Sequence, residues 1–388
     1  VRNGENIDLF ELAVHQYSRL EIPEGVVTLN SQEGAQVGMT IRVLDDTETT
    51  LILNGVSLLA GKEPVLQLGS NSRVNLILQG DNLIQRDGIR VPGNASLIIS
   101  GTGSLLIDSS RNFSVGIGGS FNDPYGSILL DLDGRLEVHA SGDKAVCIGG
   151  SRSAGEGIVL KRGDVKLEAN GINALGIGSA AGNAAVRLQG GRLQCHLQGN
   201  DAVGIGTLSG FASIVSNADT DILLESERAV GMGTMNGTSE LRLPSGNARI
   251  TIRCDVGSCI GNFNGEGTSY LSGAKVSFHG EGNRVTGLGS IEGACDTRIE
   301  AGYVEGNLLA SSRCLLGNNH SRVIITGGNI RLFPEDGSTP VSPDGRALML
   351  LNPEGDTFEK TFKDKRATWS YKAARSEDGF LGVWIPRS

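Results

Sequence analysis

One motif recurs eight times along the chain and restricts its fold more than any other feature. Val115-Gly116-Ile117-Gly118, Val146-Cys147-Ile148-Gly149, Leu175-Gly176-Ile177-Gly178 and Val203-Gly204-Ile205-Gly206 match position by position. They continue as Val230-Gly231-Met232-Gly233, Ser258-Cys259-Ile260-Gly261, Thr286-Gly287-Leu288-Gly289 and Cys314-Leu315-Leu316-Gly317. Their central apolar residues are spaced by 31, 29, 28, 27, 28, 28 and 28 residues, and Gly88-Ile89 lies another 28 upstream. Each period also holds two further short strands. In one copy Ala185 to Leu188 leads through Gly190-Gly191 to Arg192 to Leu197, with counterparts such as Leu241 to Leu243 followed by Arg249 to Arg253. Period-two alternation marks strands and the glycines between them mark corners. We name the three strands of a period the marker, second and third strands.

Such a repeat cannot bury its own apolar face, but stacked neighbours bury it jointly. The period therefore predicts an all-β fold, a right-handed parallel β-helix of about 28 residues per coil with a rise of about 4.8 Å. A propeller blade needs four strands in about 40 residues, and this period is too short for one. Residues 1–50 read as an N-terminal cap and first coil, 51–333 as the β-helix, and 334–388 as an aromatic-rich β cap. That cap holds both tryptophans, and a hairpin is expected from Trp369-Ser370-Tyr371 and Phe380 to Ile385.

Composition excludes several alternatives. Glycine supplies 57 of 388 residues but not every third position, so collagen is excluded. No apolar run approaches the roughly 18 residues of a membrane span. A net charge of −9 argues against nucleic acid, whose phosphates need a concentrated basic surface. The first residue is Val1, without a basic region followed by an apolar stretch, so a mature or excised product is expected. Six cysteines are too sparse for a disulfide scaffold. Cys147 and Cys259 share a repeat column four coils apart, roughly 19 Å by the coil rise and beyond the disulfide reach of about 7 Å. Cys195, Cys254 and Cys314 have inward parity. All read as core thiols, and without C-x-x-C spacing no zinc or other metal site is expected.

Four features can carry chemistry. The first is a strip of small residues around the inward isoleucines: Ala145, Ala174, Ala202 and Ala229, then Gly116, Gly176, Gly204 and Gly231, then the closing glycines. Alternation places it outward, as a corner requiring positive φ, as a wall covered by long loops such as Ser151 to Gly157, or as a flat trough a polymer can approach closely. The second is the outward face of the third strand, with Arg135, Glu137 and His139; Asp164, Lys166 and Glu168; Arg192, Gln194 and His196; Arg249, Thr251 and Arg253; and Lys275, Ser277 and His279. It reads as a solvated charge ladder, as a surface hydrogen-bonding sugar hydroxyls, or as a catalytic group in which His139, Glu168 and His196 supply acid and base. The third is a set of turn polars, Asp143, Asn173, Asp201, Asp255 and Asn283, which suit a corner ladder. No cofactor is expected; calcium is the one ion the pattern admits, at Asp131-Leu132-Asp133-Gly134, although no complete calcium loop is present. The fourth is the trio Trp369, Tyr371 and Trp384, a platform for sugar or a lid over the last coil. One coil departs from the pattern, at Phe211 to Asp221.

The repeated Ala-Val-Gly-Ile-Gly units, each with a corner and a short strand, resemble bacterial extracellular β-helix proteins of the carbohydrate-binding domain-containing type. The resemblance covers residues 50–333 in rhythm and the closing Phe380-Leu381-Gly382-Val383-Trp384-Ile385-Pro386. It implies a secreted or cell-surface module that binds a plant or host polysaccharide. Members often carry a third glycine after Gly-Ile-Gly, kept here only at Gly119 and Gly150. The Asn-Thr-Asp, Gly-His-Gly and Arg-Ile-Lys segments of polygalacturonases do not stand in the coils. The sequence thus leaves three expectations: a polysaccharide-binding or adhesive module, a lyase or hydrolase on the charged face, and a spacer holding other modules of a larger surface protein.

Overall fold

The computed structural model describes residues 1–317, except 33, 60, 62, 111–113, 121 and 152–153. Beyond these it describes residues 321, 323–325, 329–333, 348–350, 357–363, 368–376 and 379–387. The chain is a parallel β-solenoid of about ten turns, and it divides into two compact units, Val1–Gly199 and Asn200–Ser388.

Three columns of parallel strands run through the first unit. The second-strand column steps from Glu5–Asp8 to Gly25–Asn30, Glu48–Asn54, Arg73–Gln79 and Ser96–Gly101, then into Tyr125–Ser141 and Gly155–Ser179. The third-strand column includes Ser57–Leu59, Asp81–Arg86 and Ser104–Ser109. The marker column includes Ile89–Arg90, Val115–Gly118 and Lys144–Gly150, with Ile89, Ile117, Ile148 and Ile177 in register. In the second unit the same order continues through Asp219–Leu243, Asn247–Asn264, Gly267–Glu292 and Cys295–Leu316. Inward positions of the second and third strands, such as Leu130, Leu160, Leu188, Leu136, Leu167 and Ile250, are fully buried.

Coil length is less uniform than the marker spacing implies. Val27 pairs with Leu51 and Leu51 with Leu76, steps of 24 and 25 residues. Ile99 pairs with Leu130 after 31, and Leu160 with Leu188 after 28. The early coils lack the Gly-Ile-Gly marker and close their corners with short polar turns. There Asn54 Nδ2 donates to Asn30 Oδ1 at 2.8 Å and Asn30 donates to Asn6, an amide ladder that ties three coils together. Near the start, the helix Leu9–Val14 is capped by Asp8, which accepts from the Phe10 and Glu11 backbone amides.

The small-residue strip is not an open trough. Ala145, Ala174, Ala202 and Ala229 are buried, as are Ser179, Thr207, Thr234, Asn262 and Ser290 just beyond the closing glycines. A parallel strand covered on both faces loses its polar alternation, and that is what happens here. At Gly231 a Cβ would stand 2.5 Å from Ile250 Cγ2, so an inward third-strand side chain fills the space the glycine leaves. At Gly233 φ is +140°, and a Cβ would overlap the carbonyl oxygen of Gly261 on the next coil. The corner reading is therefore the right one.

The described cysteines, Cys147, Cys195, Cys254, Cys259 and Cys295, are buried thiols outside any disulfide, and burial pushes the Cys195 and Cys254 thiols up to about 12. Cys314 lies outside the described side chains. The expected C-terminal hairpin is present as Thr368–Ser376 against Gly379–Arg387, antiparallel, with Arg375 opposite Phe380; Thr357–Lys363 adds a third strand. The side chains of Trp369, Tyr371 and Trp384 lie outside the described residues.

Because the Gly233 column combines positive φ with backbone contact, Gly233→Ala is expected to cost on the order of 3 kcal/mol or more. A urea unfolding midpoint that hardly moves would contradict this packing.

Candidate functional site

The third-strand face has the expected parity. Arg135, Glu137 and His139 stand in register with Asp164, Lys166 and Glu168 on the next coil. Lys166 is the centre of this cluster. Its Nζ lies 2.8 Å from Glu137 Oε1 and 2.6 Å from Glu168 Oε1, while Arg135 Nη2 lies 2.8 Å from Glu137 Oε2. His139 Nε2 sits 2.9 Å from Glu137 Oε1 and 3.6 Å from Glu168 Oε2. Arg192, Gln194 and His196 also point outward, on the strand that pairs with Gly155–Ser179.

In the second unit the register differs from the sequence alignment by two residues. Arg249 pairs with Ser277, Thr251 with His279 and Arg253 with Glu281, whereas Lys275 pairs with Asn247 and Tyr303. Arg253 bridges Glu225 and Glu281 at 3.0 and 3.5 Å, and His279 Nε2 lies 2.9 Å from Glu281 Oε1. Lys275 stands over the Tyr303 ring, 5.7 Å from its centroid.

The electrostatics of the first cluster suit a clamp more than a catalyst. Burial pulls the Glu137 carboxyl up, but hydrogen bonds from Lys166 and His139 and the charges of Lys166 and Arg135 together bring it below its ordinary value. The Lys166 hydrogen bond holds Glu168 down, and the two carboxylates hold the Lys166 ammonium up. General acid catalysis at neutral pH needs a carboxyl whose pKa is raised, and this pair moves the other way. The ligand atoms of Glu137, His139 and Glu168 lie within 4.8 Å of one another, a spacing that suits a divalent cation. Lys166 already occupies both carboxylates. Asp131 and Asp133 are likewise engaged, Asp131 by Lys161 at 2.8 Å and both by Arg162, so the Asp-Leu-Asp-Gly segment forms an inter-coil ion-pair ladder. Three of the turn polars also bond between coils: Arg228 donates to both Asp201 oxygens at 2.5 and 2.6 Å, and Asn283 donates to Asp255.

A concave site lies elsewhere, on the second-strand column of the second unit. Phe211, Thr238, Ser239, Glu240, Glu266, Gly267, Thr268, Ala294 and Asp296 line an open groove of about 590 Å³. Glu240, Thr268 and Asp296 are in register on three successive coils. The floor is rigid: Ser239 Oγ donates to Asn262 Oδ1 at 2.6 Å, and buried Asn262 donates to the Glu266 carbonyl at 2.6 Å. Two residues on, the outward face carries Tyr270 between Arg242 and Arg298. The Arg298 guanidinium stands 6.0 Å from the Tyr270 ring centroid and 2.8 Å from Glu300, to which the Tyr270 hydroxyl donates.

The irregular coil at Phe211 was the only sequence signal for this groove. Its polar residues, Glu240, Thr268 and Asp296, form no motif in the sequence and become neighbours only through coil register. Comparison with known proteins adds no further constraint. No family model, curated protein or solved structure matches this chain.

The Lys166 cluster has a defined pH signature. Glu137 and Glu168, held low in the folded state, contribute stability above the unfolded value of about 4.3 and lose it as pH falls through the folded values. Lys166, held high, contributes below about 10.4 and loses its contribution only in strong alkali. Urea midpoints are expected to fall in acid for the wild type and to fall less for a Glu137→Gln, Glu168→Gln double variant. Parallel pH profiles for the two proteins would show that the pairing carries no stability.

Proposed function

We propose that this protein is a non-catalytic polysaccharide-binding or adhesive β-helix module acting outside the cell or at its surface, similar to the carbohydrate-binding β-helix proteins that its repeats resemble. The observation that carries the reading is the Phe211 groove. A sugar ring offers an apolar face and a rim of hydroxyls. A groove with an aromatic ring beside carboxylates and hydroxyls matches both, since binding sites pair apolar lining with a few placed polar groups. Phe211 provides the apolar surface; Glu240, Glu266 and Asp296 accept from hydroxyls, and Thr238 and Thr268 donate or accept. Tyr270 and its flanking arginines extend the same face.

The groove is open and follows the coils, which fits an extended polymer better than a small enclosed ligand. Its polar residues come from three coils, so each coil contributes a short stretch of one continuous surface. On the third-strand face Glu137, Glu168, Glu225 and Glu281 pair with cations of the same face, which supports a structural ladder there. No helix among the described residues is long and apolar enough to cross a membrane.

The test is a polysaccharide and glycan panel read by affinity electrophoresis and calorimetry. Binding with a dissociation constant of about 1 mM or tighter, about −4 kcal/mol, is expected. Phe211→Ala is expected to weaken it about tenfold or more, and Glu240→Gln to weaken it while leaving the fold intact. A panel without hits would overturn the reading in favour of a spacer. Release of reducing or unsaturated sugars would overturn its non-catalytic part.

A further inference from the structure

A second cleft lies in the first unit, at the corner where third strands turn into marker strands. Ser18, Arg19, Gly38, Met39, Thr40, Leu59, Gly61, Glu63 and Arg86 line about 480 Å³. Arg19 and Thr40 are register neighbours, and the Thr40 amide donates to the Ser18 carbonyl at 2.9 Å. Leu59 is in register with Gln85, directly before Arg86.

Three independent observations point to a ligand here. The chain carries a net charge of −9, yet among the described residues that line this cleft two are arginines and one, Glu63, is a carboxylate, with Glu21 beside Arg19 outside the lining. Arg86 holds φ +72°, a left-handed conformation that a long side chain adopts at a cost and that clusters at functional sites. Gly38 has no backbone need for glycine, because its φ is not in the left-handed region, and a Cβ there would meet nothing within 4 Å. A Cβ at Gly38 would stand in open space at the lining of the cleft.

We propose that this cleft holds an acidic sugar residue, with the Arg86 and Arg19 guanidinium groups on its carboxylate or sulfate. Planar guanidinium groups match such oxyanions in a bidentate manner. The Ser18 and Thr40 hydroxyls and Glu63 meet the ring hydroxyls, and Leu59 with the edge of Met39 offers apolar contact. Glu63 accepts from Gln67 Nε2 at 3.2 Å, which steadies it as an acceptor. Among the described residues Arg19 has one ion-pair partner, Glu21, whose Oε1 lies 3.8 Å from Arg19 Nε. The choice of a sugar rests on the function proposed above; the oxyanion contact rests on this cleft alone.

The experiment is calorimetric titration of the whole chain at low ionic strength with an oligogalacturonate, a sulfated oligosaccharide, a neutral oligosaccharide of equal length, and inorganic sulfate. The wild type is expected to bind an acidic oligosaccharide at least tenfold more tightly than the neutral one. Arg86→Asn and Gly38→Leu are each expected to weaken that binding tenfold or more with thermal midpoints unchanged or raised, because Asn tolerates the left-handed region and Leu enters open space. Phe211→Ala is expected to leave this binding intact, so failure of the groove and failure of the cleft are told apart. The two acidic ligands distinguish carboxylate from sulfate recognition. Acidic binding indifferent to both cleft variants, or equal affinity for the neutral oligosaccharide, would overturn the proposal. Binding of inorganic sulfate alone would overturn its assignment to a sugar.

Discussion

The structure depends on one constraint: backbone hydrogen bonds run from coil to coil, and three columns of strands must keep them in register at once. A parallel ladder of this kind has evenly spaced bonds and buries its strands on both faces. The marker column meets the constraint most tightly. Its closing glycines, such as Gly233, lie so close to the next coil's carbonyl that no other residue fits. The second position of the motif is glycine or cysteine in seven of the eight copies, and at Gly116 and Gly231 the third-strand side chains of Val138 and Ile250 reach into the space a Cβ would take. The repeat is thus the trace of a backbone packing requirement, and its recurrence carries no ligand chemistry of its own.

Side chains that face solvent answer to the same geometry. Residues one coil apart stand about 4.8 Å from each other, so like residues stack and unlike charges pair. The Asn6, Asn30 and Asn54 ladder, the Asp131–Arg162 and Arg228–Asp201 pairs and the Lys166 clamp are versions of one solution. Exposed pairs of this kind contribute about 0.2–1 kcal/mol each, and their repetition suppresses slippage between coils as much as it adds stability. Such saturation also removes acids and bases from chemistry. The two surfaces we propose for recognition are those where the pattern is broken, by Phe211 in one unit and by Arg19, Arg86 and Gly38 in the other.

Much of this was legible in the chain itself. The 28-residue period, the three strands per coil, the buried thiols and the outward parity of Arg135 to His139 follow from alternation and spacing. The shorter early coils were not legible, since nothing marks them as the Gly-Ile-Gly unit marks the later ones. The trough failed because alternation assumes one face in water, and the marker strand has neither face there. His139, Glu137 and Glu168 do meet, but the role suggested by residue type is altered by Lys166, whose ammonium reaches both carboxylates.

Sequence alone determined the inward face of the second and third strands and, over the coils that carry the marker, how far apart repeats lie, because both depend on local periodicity. Only the tertiary structure decided which outward residues become neighbours, since register between coils follows from coil length and corner geometry. Glu240, Thr268 and Asp296 are separated by 28 residues at each step and share one groove only because their coils stack in register. Arg86 lines one cleft with Arg19, far earlier in the chain, only because their coils stack. Such convergence depends on direction in space, and a linear pattern of residue types does not contain it.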